Sequence, residues 1–194
     1  MVRYYELFED QTEIKRLLEE YFNIPGIPTI NPDGTVNIEG HCSLKSDKKV
    51  NQLPVKFGKV SGDFYCIDNQ LTSLVGSPQS VGGIFSCSDN QLTSLVGAPQ
   101  SVGGYFNCSH NQLTSLVGAP QSVGRFYCNW APTLPLLRTV VAKRVVIYKG
   151  DDLFKEINDI LNSCIEKTPG SYRGAALDAK RKLTDAGYKE NAKW

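Results

Sequence analysis

Cysteine and histidine are the residues in this chain whose chemistry could be catalytic. Its 194 residues include six cysteines and two histidines. Cys108 and His110 lie close together inside a repeated segment. In the copies before it, the position equivalent to His110 is an aspartate, Asp68 or Asp89. A nucleophilic site needs a base held beside the nucleophile, and this pairing does not recur. We therefore expect no catalytic residues.

The cysteine spacing also bears on metal binding. A structural zinc site takes four ligands, commonly in C-x2-C pairs, whereas Cys66, Cys87 and Cys108 recur at the period of the repeat. This periodicity favours a column of buried, reduced thiols over a metal-bridged column. The glycine-rich phosphate-binding motifs G-x-x-x-x-G-K-[ST] and G-x-G-x-x-G do not occur. We expect neither a metal nor a cofactor.

One 21-residue unit must position whatever site the chain has. It reads NQLTSLVGSPQSVGGIFSCSD from Asn69 and NQLTSLVGAPQSVGGYFNCSH from Asn90, and it recurs one residue shorter as NQLTSLVGAPQSVGRFYCNW from Asn111. Self-similarity at a period of about 20–50 residues is the signature of a solenoid, whose neighbouring repeats stack and share one core. Residues 41–60 look like a degenerate earlier unit.

Alignment of the units places the same residue types in columns, in the segment F-x-C-x-x-N-x-L. Alternation through Phe85, Ser86 and Cys87 predicts a short strand that buries Phe85 and Cys87 and turns Ser86 outward. The asparagine that opens each unit is placed to satisfy backbone groups of adjacent turns. The columns therefore predict both a core and an outward strand face.

The spacing F-x-C-x-x-N-x-L matches L-x-L-x-x-N-x-L, the core of the leucine-rich repeat. The chain resembles short bacterial-type leucine-rich repeats, and most closely the small leucine-rich-repeat proteins encoded by bacteriophages, which carry near-identical NQLTSLxGAPxSVGG units. The closing GYKENAKW also resembles the tails of those proteins. The resemblance implies an α+β repeat solenoid with parallel strands on its concave side, acting in a bacterial host cell.

The segment before the repeats has the pattern of an end cap. Residues 11–22 have the apolar spacing of an amphipathic helix, and residues 29–38 read as a small hairpin. Terminal repeats need a cap to cover the exposed edge of their core. We therefore assign residues 1–40 to an amino-terminal helix and hairpin cap.

The segment after the repeats is expected to end in helices. Residues 41–148 form the predicted solenoid, whose last strand is residues 145–148. A helix is expected to open at residues 150–152 with Asp151 as its cap, and a second helix follows from about residue 172. Residues 149–194 are thus assigned to a carboxy-terminal two-helix cap.

Charge and hydropathy exclude some partners. The net charge is +1, which argues against non-specific attraction to nucleic acid, although the ends differ in sign. No stretch approaches the roughly 18 apolar residues that span a bilayer, so no membrane association is expected. The amino terminus lacks the apolar run of a signal peptide. We expect a cytoplasmic protein, in the host cell if it is phage-encoded.

The outward strand positions are where the copies diverge. Residues 69–89 and 90–110 differ at four of 21 positions, and three of the four lie on or just beyond the outward side of the strand. Drift after duplication would also produce this pattern, but that side is the usual binding face of a solenoid, and Tyr, Trp and Arg are enriched at interface hot spots. The candidate partner-binding residues are Tyr65, Ile84, Tyr105, Asn107, His110, Arg125, Tyr127, Asn129 and Trp130.

The sequence thus predicts a non-enzymatic protein-binding module. The phage resemblance implies that it binds and blocks or redirects a host bacterial protein, such as a CRISPR effector or a nuclease. Three alternatives stay open. The repeats could serve as a scaffold in a virion, the aromatic and arginine residues could hold a small molecule or nucleotide, or the carboxy-terminal segment could act as an enzyme adaptor or nuclease.

Overall fold

The strands stack in parallel to form a β-solenoid of about five turns. The computed structural model describes the backbone of residues 2–167 and 171–193, and the side chains of residues 11–139, 141–167 and 171–193. Three α-helices lie in the described terminal segments. The strands are β1 (Phe22–Asn23), β2 (Thr29–Ile30), β3 (Val36–Ile38), β4 (Cys42–Leu44), β5 (Phe57–Val60), β6 (Phe64–Tyr65), β7 (Ser80–Val81), β8 (Phe85–Ser86), β9 (Ser101–Asn107), β10 (Ser122–Asn129), β11 (Ala142–Lys149) and β12 (Asp152–Leu153). The α-helices are α1 (Val2–Tyr21), α2 (Lys155–Lys167) and α3 (Tyr172–Asp185), and the 3-10 helices are Ser46–Lys48 and Leu136–Val141.

Each of the first turns contributes two short strands separated by a bend that contains glycine. One ladder joins β3, β5 and β7, and the other joins β4, β6 and β8. The longer β9 pairs with both β7 and β8, and β10 and β11 continue the stack. Val81 pairs with Val102 and Phe85 pairs with Phe106. Because like residues face one another in register, one sequence repeat corresponds to one turn of the solenoid.

The core consists of columns of identical side chains. The rings of Phe64, Phe85, Phe106 and Phe126 stack with centroid separations of 5.5, 5.3 and 5.4 Å. Beside them lies a column of cysteines, which are buried and whose thiols are free. The Cys66 thiol donates to the carbonyl of Ser86 in the next turn at 3.4 Å, and burial raises the pKa of that thiol well above its ordinary value. The prediction of buried, reduced thiols in the core is confirmed.

The asparagine column provides the hydrogen bonds that the irregular return segments lack. Nδ2 of Asn90 donates to the carbonyls of Cys66, Cys87 and Ser88 at 2.8, 3.1 and 3.0 Å. Its Oδ1 accepts a bond from the backbone N–H of Leu71 at 2.9 Å. Asn111 makes the equivalent contacts one turn later. The predicted role of these asparagines in satisfying the backbone is confirmed.

The amino-terminal segment pairs and packs with the first turns. Helix α1 is longer than the predicted residues 11–22, and the chain then pairs β1 antiparallel to β4. Nζ of Lys45 donates to the carbonyls of Glu19 and Glu20 at 2.7 and 3.2 Å, which satisfies groups that a helix end leaves free. The predicted hairpin is present as β2 and β3. Its second strand already pairs with β5, so the stack begins before residue 41.

The carboxy-terminal segment begins differently from the expectation. Gly150, with a φ of 64°, lies in the turn of a hairpin in which β12 pairs antiparallel to β11. Helix α2 starts only at Lys155. The prediction that residues 150–152 open the helix, with Asp151 as its cap, is therefore wrong. Asn158 and Asn162 of α2 bond the backbone of β11. Helix α3 packs against α2 and against the 3-10 helix Leu136–Val141, and it buries Ala175, Ala176, Ala179 and Leu183.

Candidate functional site

The second ladder turns one row of side chains outward, and these line a surface that we call the outer strand face, although Ser86 among them is buried. They alternate with the buried phenylalanine and cysteine side chains, as the pleat of a strand requires. The register of the strands places them in two columns. The first column is Asp63, Ile84, Tyr105, Arg125 and Arg144, and the second is Tyr65, Ser86, Asn107, Tyr127 and Val146. Neighbouring members are one strand spacing apart, about 4.8 Å.

Three of the predicted site residues meet near the middle of this face. Tyr105 pairs with Arg125 across β9 and β10. The rings of Tyr105 and Tyr127 meet edge to face with their centroids 5.3 Å apart. Both tyrosines are half-buried, whereas Arg125 is exposed. Aromatic rings with an adjacent guanidinium offer a partner both apolar area and directed hydrogen bonds.

A polar cluster occupies the amino-terminal end of the face. Oδ2 of Asp63 lies 3.0 Å from Nδ1 of His41 and accepts a hydrogen bond from the Tyr65 hydroxyl at 3.1 Å. Its Oδ1 accepts the backbone N–H of Ile84 at 2.7 Å. Gly83 leaves room for this carboxylate, because a Cβ there would lie 2.1 Å from Oδ1. The Asp63 carboxylate is therefore held in place by its neighbours.

The same cluster changes the acidity of Tyr65. Partial burial, followed by the hydrogen bond to Asp63, raises the pKa of Tyr65 to about 12. This side chain therefore keeps its proton at neutral pH and acts as a hydrogen-bond donor. His41, which is not among the candidates named from the sequence, is part of this cluster. The signal lay in the register, since Cys42 pairs with Phe64 and so aligns His41 with Asp63.

Other predicted residues have contacts that fix their local structure. Oδ1 of Asn107 accepts the N–H of Ser109 at 3.0 Å. His110 is exposed and has a φ of 54°, and Asp68 and Asp89 at the equivalent positions have values of 51° and 57°. Non-glycine residues with a left-handed backbone are most often Asn, Asp or His. The backbone thus restricts which residues can occupy this position.

The last two predicted residues contact the carboxy-terminal segment. Asn129 donates to the carbonyl of Gly150 at 2.8 Å. Nε1 of Trp130 donates to Oδ1 of Asn191 at 3.2 Å, and its ring packs edge to face on Phe154 with centroids 5.3 Å apart. Trp130 therefore joins the solenoid to the carboxy-terminal segment.

Two further features of the described residues bear on function. No group of three or more His, Cys, Asp or Glu side chains in this part of the chain is arranged to hold a metal ion. None of the described helices has both the length and the apolar character needed to cross a bilayer.

Comparison with known proteins adds no family. No family model matches the chain, and neither the curated proteins nor the solved structures contain a significant match to it.

Proposed function

We propose that this protein is a non-enzymatic binding module that holds another protein against its outer strand face. The observation that carries the proposal is the grouping of Tyr105, Arg125 and Tyr127 on adjacent strands. The repeat supplies their rigid support, because each of these side chains alternates with a buried core residue. In this proposal the solenoid is of the leucine-rich-repeat type, and the terminal segments are its caps.

The burial of these residues supports a binding role. Tyr105 and Tyr127 are only half-buried, and among the described residues no hydrogen bond to either hydroxyl or to the Arg125 guanidinium is present. Their polar groups are therefore available to a partner. Tyrosine and arginine are over-represented among the residues that contribute most to binding free energy.

The biological setting is proposed from the repeats themselves. The NQLTSLVGAPQSVGG units resemble those of small bacteriophage proteins. We place the protein in the cytoplasm of an infected bacterium, where it binds and blocks or redirects a host protein. A component of host defence, such as a CRISPR effector or a nuclease, is the class of target that this setting favours.

Affinity capture from bacterial lysate tests the proposal. The bait is the wild-type protein, compared with the variant Tyr105→Ala/Arg125→Ala/Tyr127→Ala. A matched control is Gln79→Ala/Gln100→Ala/Gln121→Ala, which changes three exposed residues at one equivalent position of successive repeats. All three proteins are first compared by circular dichroism, so that only folded baits are used.

The proposal expects a host protein that the wild type and the glutamine control retain and the tyrosine–arginine variant loses. Loss of two or three hot-spot side chains costs several kcal/mol of binding free energy, about 2 kcal/mol or more for each. Equal retention by all three baits would place the partner elsewhere on the molecule. A wild-type bait that retains nothing would favour a scaffold or a small-ligand role.

A further inference from the structure

Two arginines stand side by side at the carboxy-terminal end of the outer strand face. Arg125 of β10 pairs in register with Arg144 of β11, so their side chains leave the sheet on the same face. Both are exposed, and Lys143 next to them is exposed as well. Within the described residues no hydrogen bond or ion pair involves either guanidinium.

This arrangement is unfavourable in the free protein. Like charges directly opposite each other on neighbouring strands repel and lower stability. The repulsion is offset when an anionic group lies between the two side chains. Guanidinium groups also bind carboxylates through paired N–H donors in a fixed geometry. The pair is therefore better suited to a bound anion than to an empty surface.

The surroundings of the pair distinguish one end of the face from the other. Arg125 lies between Arg144 on one neighbouring strand and Tyr105 on the other. The ring of Tyr127 packs against the ring of Tyr105. The fixed carboxylate of Asp63 lies at the far end of the same column, with Ile84 and Tyr105 between it and Arg125. The positive charge is thus concentrated at the carboxy-terminal end, beside two phenol hydroxyls.

We propose that the Arg125–Arg144 pair is a docking site for adjacent carboxylates of an acidic peptide segment. This inference rests on the proposed function, and it names the chemistry of the partner that the outer strand face would take. The acidic side chains would lie between the two guanidinium groups, while apolar side chains next to them would pack on Tyr105 and Tyr127.

Fluorescence anisotropy with a defined probe tests this site. The probe is a fluorescein-labelled octaglutamate peptide, and a labelled octaglutamine peptide is the neutral control. Both are titrated with the wild type, with Arg125→Gln/Arg144→Gln and with Arg173→Gln/Lys180→Gln. The last variant removes the same number of positive charges from exposed positions of helix α3. We expect the arginine-pair variant to bind octaglutamate at least about tenfold more weakly than the wild type.

The control variant should bind within about twofold of the wild type, and octaglutamine should not bind. Equal weakening by the control variant, or the absence of octaglutamate binding to the wild type, would overturn the inference. So would tighter binding of a labelled single-stranded oligonucleotide through the same arginines. The thermal midpoint of Arg144→Gln should equal or exceed that of the wild type, since a repulsion is removed. A lower midpoint would assign the pair a structural role instead.

The lysate experiment separates this inference from the proposed function. A partner that is lost with Tyr105→Ala/Tyr127→Ala but kept with Arg125→Gln/Arg144→Gln would leave the binding function standing and remove the acidic docking site. A partner that both variants lose supports both proposals. If neither variant loses it, the proposed function fails as well.

Discussion

At the scale of single residues, Asn90 shows how a turn without regular secondary structure is held in place. Its side chain is buried and bonds three carbonyls and one N–H that belong to two consecutive turns. A buried backbone group without a partner costs free energy comparable to a lost hydrogen bond. The asparagine therefore replaces the ladder bonds that a strand or helix would have made here.

Replacing Asn90 with alanine is expected to destabilise the protein strongly. The buried N–H of Leu71 and the carbonyl of Cys66 would lose this side chain as their partner, and leaving such groups unsatisfied costs about 2–4 kcal/mol of the free energy of unfolding. Urea denaturation monitored by circular dichroism measures the change. Gln91→Ala is the control, because its exposed neighbouring side chain should matter by less than about 0.5 kcal/mol. Equal effects of both substitutions would contradict this account.

Single residues also show where sequence reasoning fails. The candidates Tyr105, Arg125 and Tyr127 could be placed together because the repeat sets their register. Trp130 could not be distinguished from these candidates, because the sequence alone does not tell a tryptophan that packs on Phe154 from one that binds another protein. His41 was missed for a different reason. The first turn is one residue longer than the repeat, since Cys42 pairs with Phe64.

At the scale of elements, helix α2 acts as a substitute for the next strand. Asn158 donates to the carbonyl of Ile147 and accepts its N–H, both at 2.8 Å. Asn162, one helical turn later, makes the same pair of bonds with Val145. Exposed strand edges invite pairing with another chain. These two amides therefore satisfy an edge of β11 that would otherwise be open.

Substitution of Asn158 by alanine should weaken this edge. It leaves the buried N–H and carbonyl of Ile147 without these partners, at a cost of about 2–4 kcal/mol of the free energy of unfolding. It should also loosen helix α2 from β11 and so promote association between molecules through the uncovered edge. Urea denaturation measures the first effect, and light scattering over a range of protein concentrations measures the second. Asp159→Ala, an exposed change on the same helix, should do neither. A monomeric Asn158→Ala protein of wild-type stability would refute this role.

The elements themselves differ in how well the sequence predicts them. The strands follow from columns of Phe, Val and Cys, because a repeated pattern constrains every copy at once. The start of α2 could not be predicted in this way, since residues 150–152 suit a helix cap and a hairpin turn equally well. Only the pairing of β12 with β11 decides between them. The strand-bonding role of Asn158 and Asn162 was also not visible, because polar residues at that spacing look like an ordinary helix surface.

At the scale of the whole molecule, the stacked core and the outer strand face both run along one axis. Each turn contacts mainly the turns next to it, as in other solenoids. Antiparallel pairing occurs towards the two ends, with β1 on β4, β2 on β3 and β12 on β11. The outer strand face changes along the same axis, from the Asp63 cluster through the tyrosines to the arginine pair. A change in the number of turns should therefore alter the face without unfolding the stack.

Deletion of residues 90–110 tests this view. The deletion joins Asp89 to Asn111, which repeats the Asp89–Asn90 junction in residue type. The shortened protein should stay folded with a smaller m-value in urea, since less surface is exposed on unfolding. Deletion of residues 90–99 is the control, because it breaks the register of the columns and should abolish cooperative unfolding. If both deletions unfold alike, the turns are not independent units.

The same deletion also separates the face from the stack that carries it. It removes Tyr105 and places Ile84 next to Arg125, so the shortened protein should lose the partner captured by the wild type. Adding Ile84→Tyr to the deletion puts an aromatic ring beside Arg125 and Tyr127 again. We expect this second change to restore capture from lysate, at a level above that of the deletion alone. Restoration would locate binding in the tyrosine–arginine grouping, whereas its failure in a folded protein would show that the partner needs the full length of the stack.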